Sequence, residues 1–291
     1  TPWQAAIRPQ GSRWVLTWRM VTDSIGNVEW TVKARLVAQG FGDRQGDTFI
    51  TRSPTAARTA RRLLISTCVD YGLGLSSIDT PAAFLRGYEL DKTATSEGEQ
   101  RRACIKPPVD FWEHCSRDEL EKATRIANST PGDRGWADLV WNLLKPAYGL
   151  KDAPLLWIKN LINFLSEMKI KHTVGEKEYE IRWISSIFDE GTFYLRCPVT
   201  NELLAMLTIH VDDLALASTK VITDQVNAQL SRRFGKTKLQ LKKLQHTGGD
   251  YEQHEDKYFH QLDYIYRCSR VRNNTRKTFR EARIFRFHLA T

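Results

Sequence analysis

Runs of β-forming residues open the chain. Residues 13–19 (RWVLTWR) and 28–38 (VEWTVKARLVA) flank the turn signal DSIGN, Asp23 to Asn27, and so predict a β-hairpin. Gly40 and Gly42 then open a loop. Ser53 as N-cap and Pro54 at the first helical position predict a helix through AARTARRLLISTCVDYGL, with Leu64, Thr67, Cys68 and Tyr71 on one face and Gly72 and Gly74 ending it. Residues 75–79 (LSSID) read as a short strand, and PAAFLRG as a turn into a short helix. The polar stretches 91–101 and 116–135 read as loops or insertions. Residues 139–145 predict a strand. Asp152 as cap and Pro154 near the first turn start a second helix, whose apolar face carries Leu156, Ile158, Leu161, Ile162 and Leu165. Two short strands surround DEG within 183–196. The apolar runs 203–211 and 214–218 predict a buried hairpin with Asp212 and Asp213 at its tip, and 221–234 reads as a helix. Hairpins and helices mix without βαβ alternation, which predicts an α+β fold with an antiparallel sheet.

Composition narrows the class. Of 291 residues 41% are apolar, enough for a sizeable interior and too many for a disordered chain. The balance of 43 basic against 34 acidic residues gives a net charge of +9, which suits a phosphate-rich partner and equally suits simple solubility. The five cysteines form no Cys-x-x-Cys pair and read as reduced, intracellular thiols. His114 beside Cys115 is too little for zinc. No apolar run reaches the roughly 20 residues of a membrane helix, and the N-terminus lacks a signal-peptide core. A first residue of Thr suggests a piece of a longer product or an incomplete gene model. Residues 267–291 hold eight Lys or Arg against one Glu and read as a weakly ordered tail.

Chemistry concentrates in three acids. Adjacent carboxylates at a hairpin tip repel, and a divalent cation removes that cost; taken alone, Asp212-Asp213 reads as an exposed turn. Asp79 ends an apolar strand, and alone it reads as a helix cap before Thr80 and Pro81. Together they match the needs of two-metal phosphoryl transfer, in which carboxylates from separate segments hold ions about 3.5–4 Å apart. Trp14, Trp18 and Trp30 either stack on bases or pack the hairpin.

Five blocks, in order, resemble the reverse transcriptase of copia-type retrotransposons over roughly residues 10 to 260. They are RWVLTWRMVTDSIGNVEWTVKARLVAQGF, with its K-A-R-L-V-A-x-G-F signature from Lys33 to Phe41; IDTPAAFLRG; IKPPVDF; LKPAYGLKDAPLLW; and IHVDDLALAS. The resemblance implies that Asp79, Asp212 and Asp213 are the catalytic, metal-binding carboxylates, with Asp213 the less essential. It implies that Phe84 sits under the incoming sugar, that Lys33 and Arg35 contact the triphosphate, and that Tyr148 and Gly149 flank the nucleotide. Lys151 and His210 would meet the nucleic acid, and Trp157 would be core. His210 stands where the family has Tyr, Pro81 where it usually has Lys or another non-proline residue, and RSPTAA replaces F-S-P-V-V.

The expected fold is a polymerase palm with an antiparallel sheet plus a fingers subdomain, the thumb short or absent. Fingers and palm span 1–265, with the fingers hairpin at about 13–40, the palm at about 75–265, and a basic tail at 266–291. The expected function is RNA-directed DNA synthesis on a primed RNA or DNA template from deoxynucleoside triphosphates, with two Mg2+ ions or Mn2+ in their place. Partners would include the integrase and ribonuclease H regions of a parent polyprotein. The location would be a cytoplasmic particle or the nucleus. An inactive palm-fold remnant that binds nucleic acid, or a metal-dependent nuclease, is the rival expectation.

Overall fold

The computed structural model describes residues 8–22, 27–43, 45, 51–94, 98–108, 110–128, 136, 138–246, 249–254 and 259–260. The expected turn residues 23–26 and the basic tail lie outside them. The strands, in chain order, are β1 Ser12–Thr22, β2 Val28–Ala38, β3 Gly74–Asp79, β4 Cys104–Ile105, β5 Trp141–Asn142, β6 Lys169–Val174, β7 Lys177–Arg182, β8 Ile184–Ser185, β9 Thr192–Arg196, β10 Leu203–His210, β11 Asp213–Ser218, β12 Lys238–Leu241, β13 Lys243–His246, β14 Gly249–Gln253 and β15 Phe259–His260. Among the described residues every pairing between two of these strands is antiparallel, with one isolated parallel bridge between Gln10 and Ile105, and helices accompany the sheets. The chain divides into two compact units, Thr1–Arg52 with Phe84–Asn160, and Ser53–Ala83 with Leu161–Thr291.

In the first unit β1 and β2 form the expected hairpin, in register from Ser12↔Ala38 to Thr22↔Val28. Its base is tied down by backbone bonds: the Ala38 N–H donates to the Tyr148 carbonyl at 2.7 Å and the Gln39 N–H to the Gly11 carbonyl at 2.8 Å. Beneath it Ala38, Leu90, Ala103, Ile105, Leu150 and Leu156 pack together, each buried. Burying a Leu or Ile side chain contributes about 1.5–3 kcal/mol, so this small cluster is what fixes the loop segments around it. Trp157 is fully buried.

The second unit is built on a six-stranded sheet in the order β12-β3-β11-β10-β9-β8. The helix Arg58–Asp70 lays Leu64 and Cys68 on Leu75, Met206, Ala215 and Ala217 of the sheet. The helix Lys220–Phe234 buries Ile222, Val226, Leu230 and Phe234, one residue per four, as a single apolar stripe requires. Its N-cap Thr219 accepts from the Ile222 N–H.

Three expectations need correction. The first helix starts at Arg58, not Ser53. The segment before it is extended because its amides are claimed elsewhere: Ala56 donates to the Ile209 carbonyl at 2.8 Å, and Ala57 to the Asp189 carboxylate at 2.7 Å. Residues 116–135 are not all loop. Arg117–Ala127 is helical, with Ser116 and Glu119 forming a complete capping box. The expected strand 139–145 shrinks to Trp141–Asn142, which pairs only with the two residues of β4.

Candidate functional site

The second unit gathers the three acids at one end of its sheet. β10 and β11 pair from Ala205↔Ser218 to His210↔Asp213, leaving Val211 and Asp212 as a two-residue loop. Val211 has φ +56, in the left-handed region. Tight hairpin turns usually put Gly at such a position, and a β-branched residue there carries about 1–3 kcal/mol of strain. The strain aims the loop: the Asp212 carbonyl turns back to accept from the Thr80 N–H at 3.3 Å. β11 pairs with β3 so that Asp213 lies directly across from Asp79. Directly opposed residues have Cβ atoms about 4.5–5.5 Å apart and share a face. Thus residues more than 130 positions apart in sequence meet through strand register.

Electrostatics at this end are unfavourable without a counter-charge. Asp213 is pushed up to about 6, first by burial and then by the carboxylates of Asp212 and Asp79, while Lys238 pulls it down. Lys238, on β12, is Asp79's register partner on the other side of β3. Among the described residues no three His, Cys, Asp or Glu side chains are arranged to hold a metal ion. The donors nonetheless suit magnesium in kind, since that ion takes one or two carboxylates and fills its shell with water and substrate phosphate.

His210 closes the β10 side of the tip. Its ring sits 6.4 Å from that of His246 on β13, and its Nδ1 is buried without a hydrogen-bond partner. Burial and the nearby Arg61 hold its pKa down, against the pull of Asp212. His246 is deeper, with neither ring nitrogen hydrogen-bonded, and burial, His210 and Arg61 bring it to about 4. Arg61 and His246 carry no signal in the sequence, because only the fold brings them together.

The first unit holds the other expected residues. Lys33 and Arg35 are two apart on β2 and so share one face, Lys33 exposed and Arg35 half-buried. Phe84 is half-buried and meets Tyr148, ring centroids 5.0 Å apart and tilted 54°. Gly149 has φ +93, and a Cβ there would lie 1.9 Å from the Ala38 carbonyl oxygen. The backbone that this glycine admits is therefore the chain's own. Gly40 has the reciprocal constraint, its Cβ position lying 2.3 Å from the Gly149 carbonyl oxygen. Lys151 is half-buried, two residues on.

Sequence reasoning missed Arg101. It is fully buried and forks across two carboxylates, with Nε donating to Asp152 at 2.8 Å and Nη2 to Asp43. Nη1 also donates to the Gln45 side chain at 3.3 Å and to the Arg102 carbonyl at 2.7 Å. Burial lowers the Arg101 pKa, but Asp152 and Asp43 more than offset this and the net shift is upward. Asp152, expected only as a helix cap, precedes the helix Ala153–Glu167 and follows the Tyr148–Lys151 block, while Asp43 follows the loop below β2. Arg101 thereby joins the two segments that carry Lys33, Arg35, Tyr148 and Gly149. Its partners lie 51 and 58 positions away, which no local pattern reveals.

Among the described residues Cys68, Cys104, Cys115 and Cys197 are free thiols, and no helix is long and apolar enough to cross a membrane. No protein-family model matches the chain. It is similar to the "Retrovirus-related Pol polyprotein from transposon RE2" of Arabidopsis thaliana, 27% identical over 226 residues, which are 77% of this chain and 12% of that protein. The corresponding polyprotein from transposon RE1 of the same plant is 26% identical over the same length and shares. The chain spans about an eighth of the length of these relatives.

Proposed function

We propose that this chain, a relative of the retrovirus-related Pol polyproteins of transposons, is the RNA-directed DNA polymerase region of such a polyprotein, folded as a palm with a fingers hairpin. The observation that carries the reading is the register that sets Asp79 across from Asp213, with Asp212 in the adjoining turn. In this reading Asp79 and Asp212, with Asp213 assisting, hold divalent cations, Mg2+ or Mn2+. Those cations, when bound, supply the charge compensation that phosphoryl transfer needs.

The chain's own groups do the rest. Lys33 offers a compact charge to a triphosphate, and Arg35 a planar fork that can grip two oxygens at once. Phe84, backed by the Tyr148 ring, presents a rigid edge that disfavours a sugar 2′-hydroxyl. Gly149 and Arg101 hold Tyr148 and β2 together, so that these contacts are set before substrate arrives. Lys151 and His210 serve the nucleic acid, and the net charge of +9 favours its phosphates. The integrase and ribonuclease H activities of the parent product, and a location in a cytoplasmic particle or the nucleus, belong to the same proposal.

A second reading has one observation in its favour. His210 stands beside the Val211–Asp212 turn where the resembled family has Tyr, which suits a palm-fold remnant that binds template without extending a primer. Primer extension on a homopolymer RNA template with deoxynucleoside triphosphates separates the two. Extension that is lost in Asp212→Asn while template binding persists supports the polymerase. Binding with no extension in the unaltered chain supports the remnant, and release of nucleotides from labelled DNA without triphosphates supports a nuclease.

A further inference from the structure

The β1–β2 ribbon has two unlike faces. Alternation and register put Arg13, Arg19, Lys33 and Arg35 on one of them. The other carries Trp14, Leu16, Trp18, Met20, Trp30 and Val32, and no charged side chain at all. These six are 41–72% exposed. They are not packed into a hairpin core, because a two-stranded ribbon has no second layer to cover them. Monomeric proteins rarely expose a contiguous apolar patch beyond a few hundred Å2. A two-stranded hairpin alone is also marginal in water, so a ribbon this long gains from being covered.

We propose that this apolar face is the seat of a second copy of the chain, the two ribbons packing face to face about a two-fold axis. The inference goes beyond the polymerase reading and does not depend on it. Charge selects the occupant. A nucleic acid or an anionic lipid would find its cations on the opposite face and none here, so the partner surface must itself be uncharged. A second copy brings such a surface, with the same length and twist, and an isologous contact needs no other partner. Area agrees: the six side chains expose on the order of 800 Å2, the amount each partner gives to a standard stable interface. Trp18 lies near the middle of the ribbon, where residues that dominate binding concentrate, and Trp30 sits diagonally across from it toward the turn.

The test is sedimentation equilibrium of the full chain from roughly micromolar to 100 μM, paired with tryptophan emission and iodide quenching. A reversible dimer is expected, with emission shifting to the blue and quenching falling as it forms. Trp18→Ser and, separately, Leu16→Lys should each raise the dimer dissociation constant at least about tenfold. Arg19→Ser, on the opposite face, should leave it unchanged. Unchanged far-ultraviolet circular dichroism marks a variant as folded, and the unaltered chain's quenching against concentration needs no variant. A chain that stays monomeric overturns the proposal, as does a dimer indifferent to both apolar-face substitutions. Trp emission quenched by a single-stranded oligonucleotide in a monomer overturns it in favour of base stacking.

Discussion

Gly149 tolerates no side chain. Its φ of +93 is a region that L-residues rarely adopt, and a methyl group there would collide with the Ala38 carbonyl. Strain and displacement add, so Gly149→Ala should destabilise the first unit by about 2–4 kcal/mol in urea unfolding. Two further residues give opposite pH signatures. His246 is held near 4 in the fold and returns to about 6.5 when unfolded. The unfolded state then binds the extra proton, so its contribution is complete above pH 6.5 and is lost as pH falls toward 4, about 3 kcal/mol in all. Asp213 runs the other way. The folded state keeps a proton up to about pH 6 that the unfolded state releases near 4, so stability falls as pH rises through that window. Solvent screening limits that loss to about 1–2 kcal/mol. In metal-free buffer the two slopes oppose each other between pH 4 and 6.5. His246→Leu should leave a stability that falls with pH there, and Asp213→Asn one that rises more steeply than in the parent. Urea titrations at half-unit pH intervals decide it, and a flat difference curve for either variant would refute the corresponding assignment.

At the scale of elements the Arg101 fork is the decisive contact of the first unit. Removing one partner of a buried pair leaves an uncompensated charge, so Arg101→Met should cost about 3–5 kcal/mol. Replacing Arg101, Asp43 and Asp152 together by Met, Leu and Leu should recover most of that loss, because the desolvation penalty leaves with the charges. If the triple variant is as unstable as the single one, hydrogen-bond geometry rather than charge holds the segments. The capping box is a smaller device: Ser116→Ala should cost about 1 kcal/mol, seen as faster amide exchange confined to Arg117–Ala127. The elements also separate what the sequence makes legible from what it hides. The β10–β11 hairpin, β3 and the helix Lys220–Phe234 are plain in the sequence, the strands as short segments buried almost without a break on both faces and the helix as one apolar stripe at a regular period. The helix Arg117–Ala127 announces itself only by Ser116 and Glu119 three apart, since its exposed surface gives polarity without an apolar run. The start of the first helix is misread for the opposite reason. Ser53 and Pro54 are sound local signals, overridden by Asp189 and the Ile209 carbonyl, which reach the Ala56 and Ala57 amides from more than 130 positions away.

For the whole molecule, three acids and five motif blocks are visible as residues, while their joining is a matter of topology. Only strand order puts Asp79 beside Asp213, and only tertiary packing sets Gly149 against Ala38. A net charge of +9 should make nucleic-acid binding strongly salt-dependent, with log K falling linearly in log salt by about 0.7 per phosphate neutralised on a single strand. The most direct test of the account is Mn2+ titration followed by water-proton relaxation, in the presence of a deoxynucleoside triphosphate analogue that cannot be transferred. Protein-dependent sites should appear, and should weaken at least about tenfold in Asp79→Asn and in Asp212→Asn alike, both variants remaining folded. Binding that survives the loss of Asp79 while failing with Asp212 would contradict it, because the two acids would then not serve one centre.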